Sequence, residues 1–336
     1  MSDVPLHRRR FLLGAAAVGA GVVAGLSGAV AAGARSGSRT SELAVGAAGS
    51  STALALTRSV GSFEVVALRD ASGPFFLPRS TAFPNASVAD WDRAMEIDPG
   101  AFGPGDTWNL DFHCFAIRRP GGRVTLVDAG VGPDGSPASA WAPVPGHLPE
   151  VLAAASIDVN DVDTVVLTHL HEDHLGWSVD PDGRPMFPNA RYVVQQQEVA
   201  ALVSVGDQAL LQYVIEPLRH TGQLQEVEGR VRLVDAGSST EGGPASGLGG
   251  AITLIPTPGH TPGHQSVLVA GDLGRIMITG DVLVHAVQLA NPDVAYRYER
   301  DKELARRSRH ALLGQARAAD ALLATAHLTR PFVPAR

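Results

Sequence analysis

Three histidines and two carboxylates fall within six residues of the stretch Thr168-His169-Leu170-His171-Glu172-Asp173-His174-Leu175-Gly176. Neutral imidazole is the commonest protein metal ligand, and carboxylate with imidazole suits zinc, manganese, cobalt or iron. In an extended segment, residues two apart point the same way, so His169 and His171 can grip one ion. Asp173 and His174 follow where the chain must turn, and can face a second ion. A polar surface loop that happens to hold histidines is the plainer reading, but chance rarely produces this density.

The elements that must carry this stretch are apolar runs. Val165-Val166-Leu167 reads as a short buried strand delivering the loop to a sheet edge. Downstream, Thr257-Pro258-Gly259-His260-Thr261-Pro262-Gly263-His264 brings His260 between two strand-like segments, Ala251 to Ile255 and Gln265 to Ala270. Ile276-Met277-Ile278-Thr279-Gly280-Asp281 and Leu322-Leu323-Ala324-Thr325-Ala326-His327 each end an apolar run on a candidate ligand. Strand ends in open sheets are where chemistry is carried.

His169-Leu170-His171-Glu172-Asp173-His174 resembles the HxHxDH signature of the metallo-β-lactamase superfamily, and the remaining ligands appear downstream in order. The resemblance covers roughly Phe63 to the C-terminus. It implies an α/β fold, a four-layer αβ/βα sandwich with the site at one edge of the sheets. It implies that His169, His171 and His260 bind one metal, that Asp173, His174 and His327 bind a second, and that Asp281 bridges them. Asp281 and Asp173 are the carboxylates this places in the chemistry itself. The cofactors implied are two divalent ions, zinc first, with manganese, cobalt or iron(II) as alternatives. Such a pair can hold a hydroxide that attacks a lactone, ester or phosphotriester. Asp128, in Asp128-Ala129-Gly130, matches the superfamily's supporting Asp, behind the metal ligands.

A bridging Asp points away from β-lactam hydrolysis. The run from Gly280 to Pro292 resembles methyl parathion hydrolase and its relatives, a group overlapping the N-acyl homoserine lactonase-like enzymes. Those lactonases carry Tyr three residues past the bridging Asp; this chain has Val284, with His285 the nearest polar substitute, read as a local hydrogen-bonding residue. His264 is read likewise. A glyoxalase II-like thioesterase, a mononuclear-iron redox member and a non-catalytic binding protein are the competing readings.

The chain has 336 residues, 45% hydrophobic and 18% charged, with a net charge of −7, which fits a globular protein. No basic patch stands out beyond the N-terminus, which argues against nucleic acid. The partner expected is a small-molecule substrate, with no membrane partner beyond export machinery; a homodimer is left open. The single cysteine, Cys114, reads as a small buried core residue. Arg8-Arg9-Arg10-Phe11-Leu12 leads an uncharged Ala- and Gly-rich run to Ala34, resembling a twin-arginine export signal. The expected organisation is a signal over 1–34, a linker over 35–60 passing into an early strand, and the hydrolase domain over 61–336, exported to the cell envelope or beyond.

Between Gly73 and Gly105 the sequence predicts a loop-rich excursion near the site mouth. Phe75, Phe76, Phe83 and Trp91 there either line a pocket or cover a core edge. Leu148 to Ala155, Gln195 to Val205 and Leu210 to Leu218 read as helices, the last as part of a pocket roof. Glu198 is expected to face solvent or cap a loop. Asp301 to Ala324 reads as an amphipathic helix burying Leu304, Ala305, Ala311, Leu312, Ala316 and Ala319, with Arg306, Arg309 and Arg317 off that face.

Overall fold

Strand-forming runs in this chain alternate apolar residues that point to opposite faces, so each sheet must be covered twice. The computed structural model describes residues 42–43, 54–235 and 250–335. The twin-arginine-like segment and most of the 35–60 stretch lie outside them. One sheet runs in sequence order: β1 (Glu42–Leu43), β2 (Ala55–Val60), β3 (Phe63–Pro74), β4 (Asn109–Arg118), β5 (Val124–Val127), β6 (Val162–Val166), β7 (Arg191–Gln195) and β8 (Leu224–Val227). It is antiparallel through β5 and parallel from β5 to β8. The second sheet is ordered β14-β13-β12-β11-β10-β9, from β9 (Val231–Asp235), β10 (Ala251–Pro256), β11 (Gln265–Gly271), β12 (Gly274–Ile278), β13 (Leu322–Ala324) and β14 (Phe332–Pro334). Here β12 and β13 run parallel, because the helix Lys302–Ala318 crosses between them.

The alternation sorts side chains into three cores. Val65 and Ala67 of β3 and Ile276 and Ile278 of β12 meet between the sheets. Val66 and Leu68 instead face the helices Leu148–Ala154 and Gln196–Val205 and the helical run from Gln208 to His220. Met277 and Leu323 face the helices Lys302–Ala318 and Ala286–Ala290. The result is the expected helix–sheet–sheet–helix sandwich. Cys114 is buried in the outer core of the first sheet. Among the described residues, no helix is long and apolar enough to cross a membrane.

Four local expectations need correction. The 73–105 excursion contains a helix, Val88–Ile97, started by a reciprocal cap between Ser87 and Asp90 and packed beside Ala286–Ala290. Leu210, Leu211, Val214, Ile215 and Leu218 are core residues against the first sheet and do not roof the pocket. The last long helix stops at Ala318, because Asp320 takes a left-handed conformation and Leu322–Ala324 pairs with β12. On that helix Ala311 is exposed while Arg309 is fully buried. Arg309 lies inside because its donors are satisfied: the Glu299 carboxylate at 2.7 Å and the carbonyls of Val282, Pro292 and Val294.

Candidate metal centre

Every sequence-predicted ligand sits just past a strand end, at one edge of the sandwich. His169 and His171 follow β6, and Asp173 and His174 lie in the short helical turn Glu172–Leu175. His260 follows β10, Asp281 follows β12 and His327 follows β13. The structure brings all seven together. His169, His171, His260 and Asp281 present ligating atoms within 4.8 Å of one another, as do Asp173, His174 and His327.

Asp281 stands between the two groups. Its Oδ2 lies 3.2 Å from His260 Nε2 and 3.9 Å from His169 Nε2. Its Oδ1 lies 3.2 Å from His174 Nε2 and 3.1 Å from His327 Nε2. His171 enters the first group through Nδ1, at 3.0 Å from both His169 Nε2 and His260 Nε2. Asp173 Oδ2 faces His174 and His327 at 3.4 and 3.5 Å.

The neighbours of these side chains set their tautomers. Thr168 N–H and O–H both donate to Asp128, at 2.7 and 2.9 Å, so Thr168 Oγ1 accepts from His169 Nδ1 at 3.1 Å. His174 Nδ1 donates to Asp128 Oδ2 at 2.9 Å, and His327 Nδ1 donates to the Asp111 carbonyl at 3.0 Å. In all three rings the Nε2 lone pair is left facing the cluster. Asp128 holds this role from a left-handed backbone, φ +62°, unusual for a residue with a Cβ. His260 Nδ1, by contrast, is buried with no hydrogen-bond partner among the described residues.

Two residues tie the loops to each other. Glu198 is 3% exposed; its Oε2 accepts Leu170 N–H at 3.0 Å and its Oε1 accepts Gly263 N–H at 2.7 Å. It therefore caps two loops and does not face solvent. His264 accepts Asp281 N–H through Nε2 at 2.9 Å, which leaves Nδ1–H for Thr257 Oγ1 at 2.9 Å. Gly280 has φ +50°, and a Cβ there would meet His264 Nε2 at 2.6 Å, so only glycine lets the chain turn onto Asp281. His285 accepts Val287 N–H at 3.0 Å and packs against Phe83, Trp91, Phe102 and Trp108, outside the pocket.

The electrostatics fit a cation site. Burial resists charging of Asp281, but His327 and His174 overcome it and hold the carboxyl well below its usual range. Burial likewise opposes ionisation of Asp173, and His174 and His327 again prevail. Burial keeps His169 and His260 neutral. It also disfavours charge on His174 and His327, yet the surrounding carboxylates raise both. The second group thus gathers protons where a metal ion would put positive charge. His174 Nε2 and Asp281 Oδ1 are buried atoms without hydrogen-bond partners, as facing ligands must be. The donor set, imidazole with carboxylate, fits divalent metal.

A cavity of about 280 Å³ opens onto the cluster. His171, Asp173, His260, Asp281 and His327 form its floor, and Phe75, Phe76, Trp141 and Tyr298 form an aromatic wall. Of the four aromatics in the excursion, Phe75 and Phe76 line the pocket, whereas Phe83 is core and Trp91 packs on His285. Glu172 lines the pocket and accepts Trp141 Nε1–H at 3.2 Å. Sequence reading missed Trp141, Tyr296 and Tyr298, which no motif marks, and Thr168, which stands directly before the signature.

The sequence profile of the metallo-beta-lactamase superfamily matches residues 113–327. The chain belongs to that superfamily. YobT of Bacillus subtilis strain 168, an uncharacterized protein, is 25% identical over 193 residues, covering 52% of this chain and 72% of that one. The N-acyl homoserine lactonase AttM of Rhizobium radiobacter is 32% identical over 182 residues, covering 50% of this chain and 62% of that one. Less than two thirds of that lactonase is therefore matched. Among solved structures, the hydrolase AbOPH shares 23% identity with a TM-score of 0.64, covering 83% of this chain and 92% of that one. AidC, a dizinc quorum-quenching lactonase, shares 19% with a TM-score of 0.61, covering 82% and 91%. At these identities the structural likeness is one of fold.

Proposed function

We propose that this protein is a dinuclear metal-dependent hydrolase of uncharged lactones, esters or phosphotriesters. The observation that carries this is the split of Asp281, one oxygen toward each group of ligating atoms. Divalent cations in such a pair supply Lewis-acid polarisation and lower the pKa of water toward neutrality. The chain's own part is positional. Asp128 and Thr168 fix His169 and His174, and the aromatic wall offers apolar surface beside the ligands. Among the described residues no Lys or Arg lines the cavity, so no cationic side chain there anchors an anionic substrate. Relatives named N-acyl homoserine lactonase support lactones within this class.

The test is metal-loaded protein against a lactone, a carboxylate-bearing thioester and a phosphotriester, with elemental analysis alongside. The expected result is about two divalent ions per chain and turnover of an uncharged substrate. One iron per chain with redox activity, or turnover of the anionic thioester alone, would refute it.

Export is proposed on Arg8-Arg9 and the Ala-rich run alone. Lysine at both positions should retain the protein in the cytoplasm, and undiminished secretion of that variant removes the proposal.

A further inference from the structure

The polar groups of the pocket outside the two ligand groups are few, and two of the four are engaged with each other. Trp141 Nε1–H is spent on Glu172. Glu172, ionised, can only accept. Tyr298 is 44% exposed, out on the rim. His285, the nearest polar residue past Asp281, is turned into the aromatic core. Tyr296 is different. It is 6% exposed, lines the cavity, and its ring stacks parallel to His260, with centroids 6.1 Å apart and 7° between planes. Phe75, Phe83 and Tyr298 fix the ring from other sides, with centroids at 6.5, 5.2 and 5.5 Å. Among the described residues its hydroxyl has no hydrogen-bond partner. Buried tyrosine hydroxyls ordinarily find one. This one opens onto a cavity whose floor is the metal centre.

We propose that the Tyr296 hydroxyl is a catalytic hydrogen-bond donor to the carbonyl or phosphoryl oxygen of the substrate, replacing the protein partner it lacks. This rests on the hydrolase reading above. As the water oxygen adds to an acyl carbon, the C=O π pair moves onto the carbonyl oxygen, which accepts the Tyr296 O–H. The pair then returns, the C–O bond to the leaving group breaks, and the leaving oxygen takes a proton from the added water. Tyr296 keeps its own proton throughout. A donor preset at the developing charge is worth more in a dry site than in water. Val284, which also lines the cavity and is 3% exposed, has no side-chain donor to compete.

The test is Tyr296→Phe in the full-length, metal-loaded protein, which removes one oxygen and keeps the stacked ring. The expected loss in kcat is about 100-fold for both a γ-lactone and a nitrophenyl ester, the usual scale for one such donor, with KM changed about threefold or less. Metal content and melting temperature should match the parent. Binding of an uncharged, non-hydrolysable lactam, read by tryptophan fluorescence, should weaken about fivefold, the scale of one neutral hydrogen bond. A variant that keeps kcat within twofold on substrates the parent turns over overturns the proposal. So does a variant whose activity falls only together with its metal content, since the ring would then be merely structural. If the parent turns over no substrate, the hydrolase reading fails by itself, and an unchanged lactam affinity in Tyr296→Phe still overturns the role of Tyr296.

Discussion

The floor and the wall of the pocket are built from different interactions. On and beneath the floor, the side chains of His169, His174, His327 and Asp128 and the backbone of Asp281 are fixed by directed hydrogen bonds of 2.7–3.1 Å with buried partners. The wall is held by ring contacts, and Phe76 and Tyr298 are 55% and 44% exposed. Directed bonds set position to a fraction of an ångström, which metal chemistry demands; ring packing tolerates exchange of shape. On the proposed reading the floor carries the metal chemistry, and the wall, Tyr296 apart, sets which substrate reaches it.

The largest test of that division is Asp281→Asn. It keeps the shape but removes the charge between two cations, and should lower kcat by several kcal/mol, about a thousandfold, with weaker occupancy of at least one metal. Parental activity and metal content in this variant would end the bridging role. Next comes the metal itself. Both groups draw ligands from both sheets, so zinc at 1,000 times its Kd should stabilise the stripped protein by about 4 kcal/mol in urea unfolding. An unshifted midpoint would mean the ligand groups are not a metal site. Asp128→Asn should cost about 10- to 100-fold in metal affinity, measured by competition with a chelating dye, because His174 loses the partner that orients it.

Beneath the wall, His285 is held neutral by burial, its pKa pushed from 6.5 down to about 3. The unfolded chain binds that proton first, so stability rises with pH across this window and is lost as pH falls below 6.5. The slope from this residue is about 1.4 kcal/mol per pH unit. His285→Asn replaces the capping ring nitrogen with a capping oxygen and should flatten the acid limb by one proton, whatever its effect at neutral pH; an unchanged slope would mean His285 already carries its proton in the fold. The smallest effect belongs to Phe76→Ala. It should raise KM about fivefold for an apolar substrate while kcat changes about twofold or less, on the scale of one lost hydrophobic contact. A large fall in kcat there would break the division between floor and wall.

The same division decides what the sequence discloses. The floor was legible because each ligand ends an apolar run, and three of them share one short motif with His171. The supporting Asp128 was legible through the resemblance of Asp128-Ala129-Gly130 to the superfamily's motif. The wall was not, because Phe75, Trp141 and Tyr296 come from separate loops that only the tertiary fold joins. The helix Val88–Ile97 was hidden by glycines and prolines around it, although Ser87 and Asp90 carried its start signal. Arg309 was misplaced because periodicity sorts arginine as polar and cannot see Glu299 waiting for it. Leu210–Leu218 had the right helical character, but apolarity alone does not say which core it joins.

The order of the ligands along the chain has a consequence for biosynthesis. His169, His171, Asp173 and His174 leave the ribosome together, long before Asp281 and longer still before His327. Until β13 has taken its place beside β12, the second group lacks one of its three members. A nascent chain stalled past Asp281 and before His327 would hold one group entire and the other open. On the proposed two-metal reading, loading of the complete centre therefore waits until His327 has joined the other six ligands.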